Sequence, residues 1–251
     1  MKFSNLTDHA FWDAKYRLGR PRYRTFDPYY GKNGLLAQAF APLLKGVENV
    51  FEIGCGSSRY MMFFNLVAGL ETYGLDFSAQ GLENLERMAE DHNLVHRLCL
   101  GDMFEHEMDG RKFDLAFHSG LVEHFTDVDA FFKRCRFFCR DRGLMIFLMP
   151  NMQNLAWQWH QRICPNNFAA HIRYEPKKIA QAMSPYFTLI RAQSWGYTQL
   201  YGGGPPESIP AFTLKYINLG LMLWISYLVP NYQGTVGKRL ASTWFFVCRA
   251  K

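Results

Sequence analysis

Gly54 and Gly56 follow directly on the apolar run Val50-Phe51-Glu52-Ile53, and an acidic residue, Asp76 and then Asp102, closes each of the next two apolar runs. A strand that passes straight into Gly-x-Gly turns tightly and brings bare backbone close to a ligand, because glycine has no Cβ. A carboxylate ending the next strand can accept hydrogen bonds from both hydroxyls of a ribose. One ending the strand after that can take an adenine amino group. A dinucleotide-binding turn could look similar, but it carries an apolar residue where Glu52 stands. Titratable side chains gather further along. Glu123 and His124 follow the fourth apolar run, and His160, His171 and Tyr174 come after the fifth. Any of them could accept a proton from a hydroxyl, the histidines with the best-matched pKa. The alternative for His124 is packing beneath a bound cofactor, and for Glu123 the anchoring of a loop. No Cys or His spacing fits a zinc site, so no metal is expected.

The elements that must position these residues alternate. Strands are expected over 47–53, 72–75, 95–100, 113–118 and 144–149, the last closed by Pro150-Asn151. Between them come a helix starting near Ser58, one capped by Ser78 and running to about Asp91, and an amphipathic one over 127–139. Such alternation implies βαβ units and a parallel sheet, with the strand C-termini on one edge where ligands bind. Two helices, over 8–18 and 34–44, precede the first strand. The rhythm breaks after Asn151 into an insertion over 151–174, a helix over 176–183, a strand over 187–194, a loop over 202–206 and a final strand over 244–249. Residues 1–33 read as an N-terminal arm or lid. Residues 34–251 read as one domain with acceptor-site insertions near 151–174 and 200–232.

The segments FEIGCGSS, YGLDFS, GDMFE and FDLAFHSGLVEHF, in this order and spacing, resemble motifs I to IV of class I S-adenosylmethionine-dependent methyltransferases of the small-molecule or glycan type. The resemblance covers about residues 47–150. It implies an α/β fold: a Rossmann-like seven-stranded methyltransferase sheet with helices on both faces, its last strand inserted antiparallel, plus helical insertions in the C-terminal half. Carried over by position, Glu52 stands near the methionine end of S-adenosylmethionine, lined by Gly54, Cys55 and Gly56. Asp76 holds the ribose, Phe77 and Met103 sandwich the adenine, and Asp102 binds its edge. Ser119 and Gly120 face the methionine moiety. Ser58 departs from the pattern, standing where many members have a third glycine. The fourth strand ends in Phe117-His118-Ser119-Gly120, with neither the Asn/Asp-Pro-Pro-Tyr of base-methylating enzymes nor the carboxylate pair of magnesium-dependent catechol enzymes. The resemblance therefore implies metal-independent methyl transfer to a hydroxyl of a small-molecule or sugar-containing acceptor, with Glu123, His124 and His171 as catalytic candidates. Methylation of a small amine and a non-catalytic cofactor-binding role are the alternatives.

Composition bounds these readings. With 49% apolar and 20% charged residues, the chain is globular in character. Its net charge of +6 could suit an anionic partner, but the basic residues are scattered, which disfavours nucleic acid. Six cysteines without a CxxC pair, and no apolar run at the start, point to the cytoplasm. Cys135 and Cys139 are expected on one helix face. The apolar stretch over 211–229, with Lys215 as its one charge, approaches the length of a bilayer span. Lys215, Asn218 and Gly220 interrupt it, so a lid, a homodimer face or a contact for a lipid-like substrate is expected instead of a transmembrane span.

Overall fold

Along the central strands alternate residues join different clusters, Phe51 and Ile53 on one face of the sheet and Val50 on the other, so neighbouring side chains enter opposite layers and both layers are buried. The computed structural model describes residues 6–18, 39–154, 157, 161–162, 165–198, 213, 216–217 and 241–251. Seven strands form one sheet: β1 (Asn49–Ile53), β2 (Glu71–Asp76), β3 (His96–Leu100), β4 (Phe113–Ser119), β5 (Cys139–Pro150), β6 (Phe187–Thr198) and β7 (Ala241–Ala250). The spatial order is β3-β2-β1-β4-β5-β7-β6. The first five strands pair in parallel, and β7 inserts antiparallel between β5 and β6. The Rossmann-like methyltransferase sheet expected from the motifs is the one observed.

Helices cover both faces. On one side α4 (Val128–Phe138) and α6 (Pro176–Met183) pack Phe131, Phe132, Cys135, Ile179 and Met183 against Phe51, Phe113, Met145 and Phe147 of the sheet. On the other, α2 (Arg59–Met62) runs into a π-helical turn over Phe63–Val67, and Phe63 and Phe64 meet Phe117, Ile146 and Phe245. The same helix shares a third cluster with Leu85, Met88 and Ala89 of α3 (Ala79–His92). Ser78 caps α3 by accepting a hydrogen bond from the Gly81 backbone N–H at 3.1 Å. The N-terminal helix α1 (His9–Leu18) packs on α3, and α5 (Pro165–Ala169) is the helix described within the 151–174 insertion.

Boundaries differ from expectation in instructive places. β5 starts at Cys139, directly where α4 ends, so Cys135 and Cys139 share burial but not a helix face. Of the helix expected over 34–44, the described residues show Ala39 and Phe40 as helix running into a 3₁₀ turn over Ala41–Leu43, and 34–38 lie outside them. Most of the arm over 1–33, the 202–206 loop, His160, and the apolar stretch apart from Thr213, Tyr216 and Ile217 lie outside the described residues. Among the described residues no helix is long and apolar enough to cross a membrane.

His118 is buried in the middle of the sheet. Its ring stacks on Phe147 with centroids 4.8 Å apart and meets the edge of Phe131, and neither ring nitrogen has a partner among the described residues. Burial pushes its pKa down to about 3. The folded chain thus binds fewer protons than the unfolded chain, whose histidine titrates near 6.5. Stability is present above pH 6.5 and is lost as pH falls toward 3. His118→Phe should remove two unsatisfied nitrogens, raise stability at pH 7 by about 1–3 kcal/mol and flatten the acid limb. Thermal unfolding of both forms between pH 7 and pH 4 checks this.

Candidate active site

Three adjoining cavities run along the sheet edge where β1, β2, β3 and β4 end. The inner one lies between Leu75, Asp76, Phe77, Gly101, Asp102 and Met103. A middle one shares Gly54, Asp76 and Phe77 with it and adds Ser119 and Gly120. The outer one, of about 230 Å³, shares Ser119 and Gly120 with the middle cavity and is bounded by Glu123, His124 and His171.

The turn after β1 needs its glycines. Gly54 has φ +69°, and a Cβ there would stand 2.9 Å from Leu121 Cδ1. Gly56 has φ +42°, and a Cβ there would collide with the Tyr16 hydroxyl. Asp76 accepts hydrogen bonds from the backbone N–H of Gly56 and of Ser78, both at 2.7 Å, one on each oxygen. These bonds fix the carboxylate, and each oxygen keeps a second lone pair toward the cavity. Burial nonetheless raises its pKa to about 6, and the two N–H donors work against that rise. Asp102 accepts from the Phe104 N–H at 2.8 Å and borders the inner cavity with Met103.

Of the ten positions expected at the cofactor, Gly54, Asp76, Phe77, Asp102, Met103, Ser119 and Gly120 border these cavities. Glu52, Cys55 and Gly56 do not. Glu52 points from β1 into the opposite layer, where burial holds its carboxyl well above the usual range. The Cys55 side chain turns into the cluster of Met61, Met62 and Leu85. Gly56 lies under Tyr16.

The outer cavity brings Glu123, His124 and His171 together. Glu123 and His124 form a 3₁₀ turn after β4. His124 Nδ1 bonds to the Ala170 carbonyl at 2.7 Å, and the Ile172 N–H donates to the Glu123 carbonyl at 2.7 Å. Burial lowers His124 to about 3, so its imidazole is neutral at physiological pH and a weaker base than an ordinary histidine. Burial raises Glu123 to about 8. Tyr174 lies apart from the cavity, its hydroxyl donating to the Phe125 carbonyl at 2.7 Å.

Sequence reasoning missed the residues that α1 supplies. Trp12 and Lys15 border the outer cavity, and Tyr16 and Trp12 border the middle one. Lys15 Nζ lies over the Trp12 ring at 4.3 Å, and burial lowers its pKa to about 8. The spacing of 12, 15 and 16 marks one helix face, which is the signal that was available. Ser242 and Thr243, from the start of β7, were also missed. Asn151 and Asn154 hold that strand end in place through the Ala241 carbonyl, each at 2.9 Å.

A cavity bordered by Phe77 and Met103, with Asp102 at its edge and the braced Asp76 beside it, fits an adenosine-type group. Ser119 and Gly120 fit its polar extension toward the outer cavity. Parts of the chain are similar to known proteins. Residues 51–145 match the sequence profile of a methyltransferase-domain family. A ubiquinone biosynthesis O-methyltransferase of Rhodopseudomonas palustris (strain TIE-1) is 29% identical over 109 residues, 43% of this chain and 42% of that protein. The namesake from strain BisA53 is 26% identical over 144 residues, 49% and 56% of the two chains. The chain thus matches about half the length of these curated relatives. Among solved structures, geranyl diphosphate C-methyltransferase from Streptomyces coelicolor A3(2) aligns with a TM-score of 0.57 at 13% identity, covering 96% and 97% of the two chains. An N-methyltransferase from Bradyrhizobium japonicum WM9 aligns at 0.59 and 10% identity, with the same coverage. Likeness this distant speaks for the fold alone. Residues 51–145 thus match a methyltransferase-domain family, and the sheet is one that solved methyltransferases share.

Proposed function

We propose that the chain transfers a methyl group from S-adenosylmethionine to a hydroxyl of a small-molecule or glycan-type acceptor. The observation that carries this reading is the continuity of the three cavities, the inner joined to the middle at Gly54, Asp76 and Phe77 and the middle to the outer at Ser119 and Gly120. The inner and middle ones suit the donor and the outer one the acceptor. When bound, S-adenosylmethionine supplies a methyl group activated by its sulfonium charge. The chain aligns the two partners and excludes water between them. The proton of an acceptor hydroxyl meets Glu123, His124 and His171, which are the catalytic candidates. The distant ubiquinone relatives methylate oxygen by their name, which favours a hydroxyl over an amine. Release of S-adenosylhomocysteine in the presence of phenols, sugars and amines tests the reading: turnover with hydroxyl acceptors is expected, and turnover with amines alone would overturn the oxygen assignment.

Asp76→Asn should weaken S-adenosylhomocysteine binding by about 10- to 100-fold, the loss of charge-assisted bonds worth about 1.5–3 kcal/mol. With the wild-type carboxyl at about 6, affinity should rise as pH climbs from 5 to 7, because the ionised form is the better acceptor. The variant should lose that rise. Calorimetric titration across this range checks both.

In this reading α1 is the roof of the donor site. His9 Nδ1 bonds to the Phe77 carbonyl at 2.7 Å, Asn84 Nδ2 donates to the Tyr16 carbonyl at 3.1 Å, and the Ser78 hydroxyl donates to Asp13. Tyr16→Ala should leave the sheet intact, raise amide exchange in residues 9–18 by about tenfold or more, and weaken cofactor binding. Bound S-adenosylhomocysteine should slow that exchange in the wild type. Equal exchange in all three states would count against a roof.

A further inference from the structure

Glu123, His124 and His171 each offer one ligand atom, and these atoms all lie within 4.8 Å of one another. Two imidazoles and a carboxylate on one wall of an open cavity form a common donor set for a divalent transition ion that keeps coordination positions free. A cluster of this kind can be accidental, but three further features point to a ligand. Glu123 is 1% exposed, yet its Oε2 has no hydrogen-bond partner among the described residues. A buried carboxylate oxygen left without a partner is costly unless something fills the gap. His124 spends Nδ1 on the Ala170 carbonyl, which orients the ring and leaves Nε2 to a ligand, the usual outer support of a metal-bound histidine. The segment carrying His171 is pinned on both sides: by that bond at Ala170, and by the Ile172 N–H donating to the Glu123 carbonyl at 2.7 Å. The cluster is therefore held before any ligand arrives.

We propose that Glu123, His124 and His171 bind a divalent first-row transition ion such as zinc, manganese or cobalt, which holds the acceptor hydroxyl. This departs from the metal-free site expected from motif spacing. The ligands come from two segments far apart in the chain, so no local pattern announces them. Ligand atoms bound at about 2.0–2.2 Å stand closer together than the free groups do here, and small side-chain rotations close the difference. The Lys15 ammonium faces Glu123 and opposes a second cation. An ion that bonds imidazole strongly overcomes this better than magnesium, which prefers oxygen ligands and keeps its water. The outer cavity leaves room on the ion for one acceptor oxygen. Contact with the cation acidifies that hydroxyl, so the three side chains act as ligands in place of proton acceptors, and the proton leaves to water through the cavity mouth. The Glu123 carboxylate lies against Gly120, where a Cβ would stand 3.4 Å from Oε1, so the ion sits beside the wall shared with the middle cavity.

This role in acceptor binding rests on the methyl-transfer reading above, whereas ion binding itself does not. The whole chain is stripped with chelator, then titrated with cobalt, zinc and magnesium separately, without acceptor. One cobalt or zinc per chain is expected, with visible absorption bands for cobalt showing nitrogen ligation. Glu123→Gln and His171→Ala should each weaken binding at least tenfold, and magnesium should bind more weakly than either transition ion. Retained thermal unfolding in the variants separates loss of ligand from loss of fold, and if one variant fails to fold, the other decides. No binding at millimolar cobalt, or equal binding in the folded variants, overturns the proposal. S-adenosylhomocysteine binding to the wild type, measured alongside, tells the two failures apart. Binding without metal uptake leaves the methyl-transfer reading standing and the metal site refuted, whereas metal uptake without it supports the site and counts against that reading.

Discussion

Gly54, Gly101 and Gly120 each leave their strand and donate a backbone N–H to the carbonyl of a residue on a neighbouring strand. The bonds run to Leu75 at 2.8 Å, Asp76 at 2.9 Å and Leu148 at 2.9 Å. The ladder therefore continues one residue beyond the sheet at three places along the same edge. This constraint aligns the ends of β1, β3 and β4 with those of β2 and β5, and the rim inherits the precision of the sheet. Each donor is a glycine, and Gly54 and Gly120 turn away at positive φ, which other residues adopt only with strain. Were the parallel register to slip by one residue, side chains would exchange layers and Asp76 would lose Gly56 as a partner.

The rim also concentrates charge that the interior disfavours. Glu52, Asp76 and Glu123 are all nearly inaccessible, and burial raises the pKa of each. Asp76 is compensated by two N–H donors. Glu123 has Lys15 as a partial countercharge and an oxygen left over. A fold that needed only stability would place apolar groups here, since unpaired buried polar groups cost about 1–3 kcal/mol each. Strain of this kind gathers where binding occurs, and here Asp76 and Glu123 border the cavities while Glu52 lies behind them.

How much of this was legible depends on whether the signal was local. Strand-glycine-acid patterns are local, so Gly54, Asp76 and Asp102 could be read directly, and the helix over 176–183 came out at its observed bounds. The strand ends were less legible: β5 begins five residues before Leu144 because Cys139 pairs with Phe113. The direction of Glu52 was available in principle. Phe51 and Ile53 belong to one layer, so period-two alternation sends Glu52 to the other. The shared helix face of Trp12, Lys15 and Tyr16 was legible, but nothing within α1 says that this face meets the rim. That choice is made by Asp13 meeting Ser78 and by His9 meeting the Phe77 carbonyl, contacts that span more than sixty residues of sequence.

The two ends of the cavity line are therefore built on different principles. The inner end is made of sheet backbone and the loops it dictates, so its form follows from the fold. The outer end is assembled from α1, the segment around His171 and the start of β7, elements that meet only through contacts such as Ile172 to Glu123 and Asn151 to Ala241. Changing any one of them alters the outer walls without touching the ladder that braces Asp76. The solved neighbours fit this division: those named for C- and N-methyl transfer share the sheet with this chain at 13% and 10% identity. The sheet alone thus does not set which polar groups line the outer cavity. Beside Gly120 the turn after β4 brings a carboxylate and one imidazole, and the later segment around His171 adds a second imidazole.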